Sequence, residues 1–183
     1  MKDLILVTGN QNKVREFGQI LGMVLDSRDL DIHEIQELDS DKVALKKAED
    51  AYARLKKPLI VEDSSLSIVA WQGLPGALIV WFTKETVGVD GFLNMLDREK
   101  NRTAEVKISI GYCDESGAKV FSATTKGSIT KEQRGEYGWE WDRIFQPDGF
   151  EKTYAEMLPE EKNQVSTRKE ALKKLKKFLN EKH

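Results

Sequence analysis

Leu4-Ile5-Leu6-Val7 running into Thr8-Gly9-Asn10-Gln11-Asn12-Lys13 is the stretch that decides the fold. A short apolar run that stops at a polar, glycine-containing loop and then enters a helix is how α/β proteins build phosphate sites. Val14, Phe17, Ile20 and Leu21 continue at helical spacing, so a strand over residues 3–8 leads into a helix from about Asn12 to Leu21. The N–H groups that open such a helix lack partners within it and carry partial positive charge, which suits an anion. Gly9 lets the backbone approach a phosphate, Asn10 can orient one, and Lys13 supplies a point charge. An ordinary strand-to-helix turn with a surface lysine accounts for the same residues, and the pattern is not the GxxxxGK[ST] loop.

The second apolar run, Pro58-Leu59-Ile60-Val61, enters Glu62-Asp63-Ser64-Ser65. Paired carboxylates at a strand end can reach one loop cavity, where one holds a hard cation such as Mg²⁺ and the other activates water. They can equally cap the next turn, as Asp and Ser commonly do. A helix is expected over Asp41 to Leu55, capped by Ser40 or Asp39, with Val43, Ala44, Ala48, Ala51 and Leu55 on its apolar face. Strand, helix, helix and strand is the crossover grammar of a mixed α/β sheet.

Further along, Gly73-Leu74-Pro75-Gly76 reads as a turn, with helical pieces at Ile79 to Glu85 and Asp90 to Leu96 around a break at Gly88. Ala104 to Tyr112 and Lys119 to Ile129 read as an antiparallel hairpin about Asp114-Glu115-Ser116-Gly117. The last helix is expected from about Ser166 to Asn180. The whole chain, residues 1–183, is expected to form a single domain, one elongated α/β unit with a hairpin lobe.

Composition narrows the function classes. The 183 residues are 39% hydrophobic and 33% charged, a globular balance. A net charge of −2 proposes neither a nucleic-acid nor a membrane partner, so any polyanion must be handled locally by lysines or a metal. The single cysteine, Cys113, excludes an intramolecular disulfide and a multi-cysteine zinc site, and fits a reducing cytosol. The apolar run after Met1-Lys2-Asp3 is too short for a signal peptide or a membrane span, so a soluble cytoplasmic protein is expected. His33 and His183 are too isolated for a metal or acid–base pair.

Two later clusters have chemistry of their own. In Tyr137-Gly138-Trp139-Glu140-Trp141-Asp142-Arg143, Trp139 and Trp141 can stack on a planar base, or form a core with Glu140 and Arg143 on its rim. In Glu161-Lys162-Asn163 and Ser166-Thr167-Arg168, Ser166 suits an N-cap while Lys162 and Arg168 can reach an anion. A merely charged helix entrance is the plainer reading.

In this order, the clusters make the chain resemble the inosine triphosphate pyrophosphatase family, the Ham-type house-cleaning nucleotide pyrophosphatases. The resemblance rests on Thr8-Gly9-Asn10 with Lys13, Glu62-Asp63-Ser64, Leu74-Pro75-Gly76, the Gly138 to Phe145 segment, and Lys162-Asn163 with Ser166-Thr167-Arg168. Phe145-Gln146-Pro147-Asp148-Gly149 through Thr153-Tyr154-Ala155-Glu156-Met157 is similar to the eukaryotic branch. The resemblance implies an elongated α/β fold with a central mixed β-sheet flanked by helices, a nucleotide cleft between two lobes, and a homodimer. It implies Mg²⁺-dependent hydrolysis of nucleoside triphosphates to monophosphate and pyrophosphate. Asn10, Lys13 and Lys47 would grip the triphosphate, with Thr8 and Ser64 beside them. Glu34, Glu62 and Asp63 would serve the metal, and Asp63 would position or deprotonate the attacking water. Trp139, Glu140, Trp141, Asp142, Lys162, Thr167 and Arg168 would line the base and phosphate side.

The departures are local. The family's Gly-Phe-Gly-Tyr/Trp-Asp-Pro reads Gly138-Trp139-Glu140-Trp141-Asp142-Arg143 here, and its Ser-His-Arg reads Ser166-Thr167-Arg168. A histidine donor to a 6-keto purine is thereby lost and a carboxylate enters the same loop. Two expectations stand: a shift towards a base that presents an N–H donor, or a Glu140–Arg143 rim pair that only weakens the keto-purine preference. A nucleotide-binding module without turnover and a Maf-type pyrophosphatase are the competing classes; the C-terminal Lys162 to Arg168 motif disfavours the latter.

Overall fold

The computed structural model describes residues 4–138, 140–162 and 164–182. Trp139, Asn163 and His183 lie outside the described residues, as does the side chain of Glu140. The described chain divides into two compact units. The first comprises residues 1–63, 108–123 and 168–183, and the second residues 64–107 and 124–167. No described helix is long and apolar enough to cross a membrane.

The first unit opens with β1 (Ile5–Val7), α1 (Gln11–Leu21), β2 (Asp26–Arg28), α2 (Ser40–Leu55) and β3 (Leu59–Ile68), of which residues 59–63 belong here. β1 pairs in parallel with both β2 and β3, with Ile5 opposite Asp26 on one side and Leu59 on the other. The chain therefore leaves β1 in one direction and returns to its other side. Right-handed crossovers then place α1 and α2 on opposite faces. Period-two alternation along the strands confirms it. Leu4, Leu6 and Ile60 pack with Phe17 and Leu21 of α1. Ile5, Leu59 and Val61 pack with Ala44, Ala48 and Ala51 of α2.

β5 (Thr103–Asp114) and β6 (Gly117–Ile129) are sheet neighbours joined by a two-residue turn, which forces the antiparallel hairpin expected. α5 (Thr167–Glu181) lays Ala171, Leu172, Leu175 and Leu179 on the α1 side of the sheet. Its end is pinned to the hairpin turn by Lys182, which pairs with the buried Asp114.

On the other face α2 lies directly on Gly111. A Cβ built there would sit 2.3 Å from the Ala44 carbonyl oxygen and 2.9 Å from Val61 Cγ2. Asp41 completes the seat, accepting from the Ser109 hydroxyl at 2.6 Å and the Ser122 hydroxyl at 3.3 Å. Gly111→Ala should therefore cost about 1–3 kcal/mol of stability, the usual penalty for overpacking against atoms that cannot move aside. Thermal denaturation against the parent protein measures it, and an unchanged Tm would show that α2 can lift off the sheet freely.

The second unit contains the remainder of β3, β4 (Pro75–Gly76), α3 (Gly88–Met95), the outer parts of β5 and β6, β7 (Phe145–Pro147) and the short helix α4 (Pro159–Lys162). β4 pairs antiparallel with β3, and β7 antiparallel with β6. Its core joins Leu66, Ile68, Phe92, Val106, Ile144, Phe145 and Tyr154. Cys113, in the first unit, is buried as expected of a core residue.

Candidate active site

Strand order around β1 reverses at the β1–β3 boundary, and open α/β sheets place their ligand crevice beyond the carboxyl ends of the strands at such a point. Thr8 to Lys13 follow β1 there. β3 continues to Ile68, so Glu62 and Asp63 are not at a strand end, contrary to the expectation from sequence. They stand on a strand that outruns its neighbour β1, and alternation sends them to opposite faces. Glu62 follows Ile60 towards α1 and α5, and Asp63 follows Val61 towards α2.

On the first face the Glu62 side chain is only 3% exposed. Arg168 of α5 grips it as a fork, Nε to Oε2 at 2.6 Å and Nη2 to Oε1 at 3.0 Å, while Lys13 of α1 meets Oε1 at 2.8 Å. Nη1 of the same arginine donates to Glu16 Oε2 at 2.9 Å. Burial opposes the charge of Glu62, but Arg168 and then Lys13 outweigh it and hold the pKa down at about 2. Burial likewise opposes the charge of Arg168, and Glu62 and Glu16 reverse it, so the guanidinium stays protonated throughout.

On the second face Lys47 of α2 stands among three acceptors. Its Nζ lies 2.6 Å from Glu34 Oε1, 3.4 Å from the Glu62 carbonyl oxygen and 3.5 Å from Asp63 Oδ1. Burial works to lower the Lys47 pKa, and the carboxylates of Asp63 and Glu34 turn the net direction upward. Asp63 goes the other way: burial pushes it up to about 7, against the pull of Lys47. The ammonium sits 2.6 Å from Glu34 and 3.5 Å from Asp63, and its pull on Asp63 does not offset the burial. Asp63 Oδ2 is buried with no hydrogen-bond partner.

A cavity of about 190 Å³ adjoins these groups, with Thr8, Lys13, Glu34, Lys47 and Glu62 in its wall beside Leu6, Leu30 and Ile32, and with Asp63 and Arg168 outside that wall. It is smaller than the roughly 300–1,000 Å³ typical of pockets for whole drug-sized ligands, and suits a phosphate chain. A second cavity, of about 320 Å³ around Phe178 and Lys182, contains none of the carboxylates just described.

Several expected contacts are otherwise committed. Asn10 caps α1, its side chain accepting from the Asn12 and Lys13 amides, and Thr8 Oγ1 accepts from the Asn10 amide at 3.1 Å. The space over Gly9 is filled by the Asp29 carboxylate, 2.7 Å from where a Cβ would stand. Arg168, expected to face base and phosphate, is instead bound to Glu62 and Glu16. Ser64 is half-buried and begins the second unit.

The remaining expected residues form a group in the second unit. Lys162 pairs with the buried Asp142 at 2.9 Å and lies over the Tyr154 ring. Asp142 packs against Gly138, which has φ +85° and no room for a Cβ. Trp141 is 9% exposed and belongs to the hydrophobic core, so the stacking role expected of it gives way to packing. Arg143 is exposed. The Thr167 hydroxyl is buried, 2.7 Å from Thr125 Oγ1 and 3.3 Å from the Tyr154 hydroxyl. Thr125 and Glu16 were missed from sequence because nothing in their neighbourhoods marks them, and Tyr154 lies in a stretch singled out only for its resemblance, with no role assigned to it.

The oxygen-only donor set suits a hard divalent cation, and the partnerless buried oxygen of Asp63 is the acceptor such an ion would satisfy. The three carboxylates expected to hold it are not gathered, however. Among the described residues no three or more His, Cys, Asp or Glu side chains stand at metal-ligand spacing. Each is instead paired with a cation, Glu62 with Arg168 and Lys13, Glu34 and Asp63 with Lys47.

Comparison with known proteins adds a relationship to this geometry. The family model described as the Ham1 family matches residues 4–178. The inosine triphosphate pyrophosphatase of Scheffersomyces stipitis is 40% identical, over 98% of this chain and 98% of the relative. The dITP/XTP pyrophosphatase of Methanopyrus kandleri is 38% identical, over 93% of each. Among solved structures, the Staphylococcus aureus Ham1 protein superposes with a TM-score of 0.87 at 28% identity, covering 99% of this chain and 100% of that one. A HAM1 protein from Coxiella burnetii gives 0.85 at 25% identity, with the same coverage.

Proposed function

Because this chain belongs to the Ham1 family, we propose that it is a nucleoside triphosphate pyrophosphatase that removes non-standard purine nucleotides of the ITP, XTP and dITP kind. It is a hydrolase of phosphoanhydrides, releasing the monophosphate and pyrophosphate. The observation that carries the mechanism is Asp63: a buried carboxylate near neutral pKa, with one oxygen loosely held by Lys47 and the other free of partners.

Phosphoryl chemistry asks the protein for charge neutralisation and for an aligned nucleophile, with little covalent work. Lys13 and Lys47, in the wall of the phosphate-sized cavity, supply the first. Asp63 supplies the second, since a base titrating near 7 takes a proton from water at physiological pH without being permanently protonated. Glu34, Glu62 and Asp63 are the oxygen donors proposed for Mg²⁺, and to gather on the ion they would have to part from the lysines and the arginine that now pair with them. When bound, the ion would offset charge on the phosphates and polarise the anhydride.

On the base side, Asp142, Lys162 and Thr167 are the residues proposed to define the purine pocket, with Trp139 and Glu140. A threonine hydroxyl both donates and accepts, so it enforces a 6-keto group less strictly than a donor would. The exposed Trp81, Val80 and Leu74 of the second unit support a homodimer, and the buried single cysteine supports a cytoplasmic location. The proposed domain is single, spanning both compact units.

The test is pyrophosphate release with and without Mg²⁺ from ITP, XTP, dITP, ATP and GTP. Turnover of the first three that stops on chelation is the expected result, with ATP a poorer but detectable substrate. Pyrophosphate from none of them would overturn the assignment.

A further inference from the structure

Helix α1 presents two opposite charges one turn apart, Lys13 and Glu16, and both are used on the same neighbour pair. Lys13 reaches Glu62, and Glu16 reaches the arginine that grips Glu62. The result is a chain Lys13–Glu62–Arg168–Glu16 in which two cations meet two carboxylates. Glu62 is 3% exposed and Arg168 18%, so the inner pair is well shielded from salt, whereas Glu16 is 38% exposed.

We infer that Glu16 is a positioning residue of this site, acting through Arg168 to set how firmly Glu62 is claimed by cations. The inference rests on the pyrophosphatase reading, because it concerns the balance between anion and cation binding at that same carboxylate. Arg168 has two acceptors, and what Glu16 draws from the guanidinium is not available to Glu62. Both Glu62 oxygens are occupied, Oε1 by Lys13 and Arg168 and Oε2 by Arg168. Any cation that approaches Glu62 must therefore compete with the guanidinium, and Glu16 is what retains the guanidinium at its other end during that competition.

Removing the Glu16 charge has a signed electrostatic consequence. The four-group set changes from neutral to a net charge of about +1, with both cations still on Glu62. A phosphate anion in the adjoining cavity gains and a divalent cation at Glu62 loses. A loss of packing or of helix stability would instead weaken both, since neither ligand benefits from disorder. The opposite signs separate positioning by charge from a structural role.

The experiment uses the full chain without nucleotide. Inorganic pyrophosphate binding in the presence of EDTA is measured by calorimetry, and Mn²⁺ binding by electron paramagnetic resonance, for the parent, Glu16→Gln and Glu16→Asp. Glu16→Gln is expected to bind pyrophosphate roughly 3–10-fold tighter and Mn²⁺ roughly 3–10-fold more weakly, with Glu16→Asp restoring both towards the parent. Affinities that fall together, or that do not move, overturn the inference. Neither readout needs turnover, so it is scored separately from pyrophosphate release by the parent protein, which alone decides the enzymatic reading.

Discussion

Asp63→Asn is expected to lower the kcat for pyrophosphate release by about 10²–10⁴-fold, the usual contribution of a positioned general base, while making the protein more stable above pH 7. Asparagine keeps the shape and can still accept from Lys47, but it cannot take a proton from water. For the parent, kcat/KM should rise with pH and level off above about 7, where the buried carboxylate becomes ionised. The variant should lose that limb. A kcat within tenfold of the parent would remove Asp63 from the mechanism.

The stability arm follows from the same shift. The folded pKa of Asp63 lies above its ordinary value of 3.8, at about 7, so the fold favours the protonated form. Its contribution is fully present below about pH 4 and is lost as pH rises through 7. The amide of the variant does not ionise in this range. The stability of the variant should therefore match the parent near pH 4 and exceed it at pH 8, by up to about 4 kcal/mol. Lost activity with gained stability is the signature of a carboxylate kept under strain for function.

Arg168→Met should produce the largest loss of stability, about 3–5 kcal/mol at pH 7, because it leaves Glu62 buried with only Lys13 for company. For a chain of this size that is roughly a 10 °C fall in Tm. The pH dependence gives the cause. The folded pKa of Glu62 is depressed from 4.5 to about 2, so the stability it contributes in the parent is present above 4.5 and lost as pH falls through 2. The deficit of the variant should be greatest above pH 4.5 and shrink towards pH 2. A second change, Glu62→Gln, should return much of the loss in the arginine variant, since it removes the uncompensated charge. Equal Tm values for parent and Arg168→Met at pH 7 would mean that water reaches Glu62 and the ion pair is a surface one.

These effects mark the limit of what could be read along the chain. Apolar runs interrupted at fixed spacing were enough for β1, α1, α2 and the β5–β6 hairpin, because period and turn chemistry are local properties. The cap of α2 was narrowed to Ser40 or Asp39 for the same reason, and Asp39 is the cap. The end of β3 was not. Glu62-Asp63-Ser64-Ser65 looks like a turn by composition, yet the strand continues to Ile68 because β4 pairs with its far end. Sequence leaves Trp141 open between a base-stacking ring and a core ring, and the structure puts it in the core, since whether a large ring is covered depends on what the rest of the chain brings to it.

By itself the sequence determined the class of fold and the family, because those follow from pattern and order. Only the tertiary structure decided which charge answers which. Arg168 closes on Glu62 across 106 positions and on Glu16 across 152. Adjacent carboxylates on one strand were sent to opposite faces, one clamped by an arginine and held ionised, the other buried with a lysine 3.5 Å away and poised near neutrality. The strength of a charge interaction depends on distance and on surrounding dielectric, and both are set by folding rather than by neighbours in the chain.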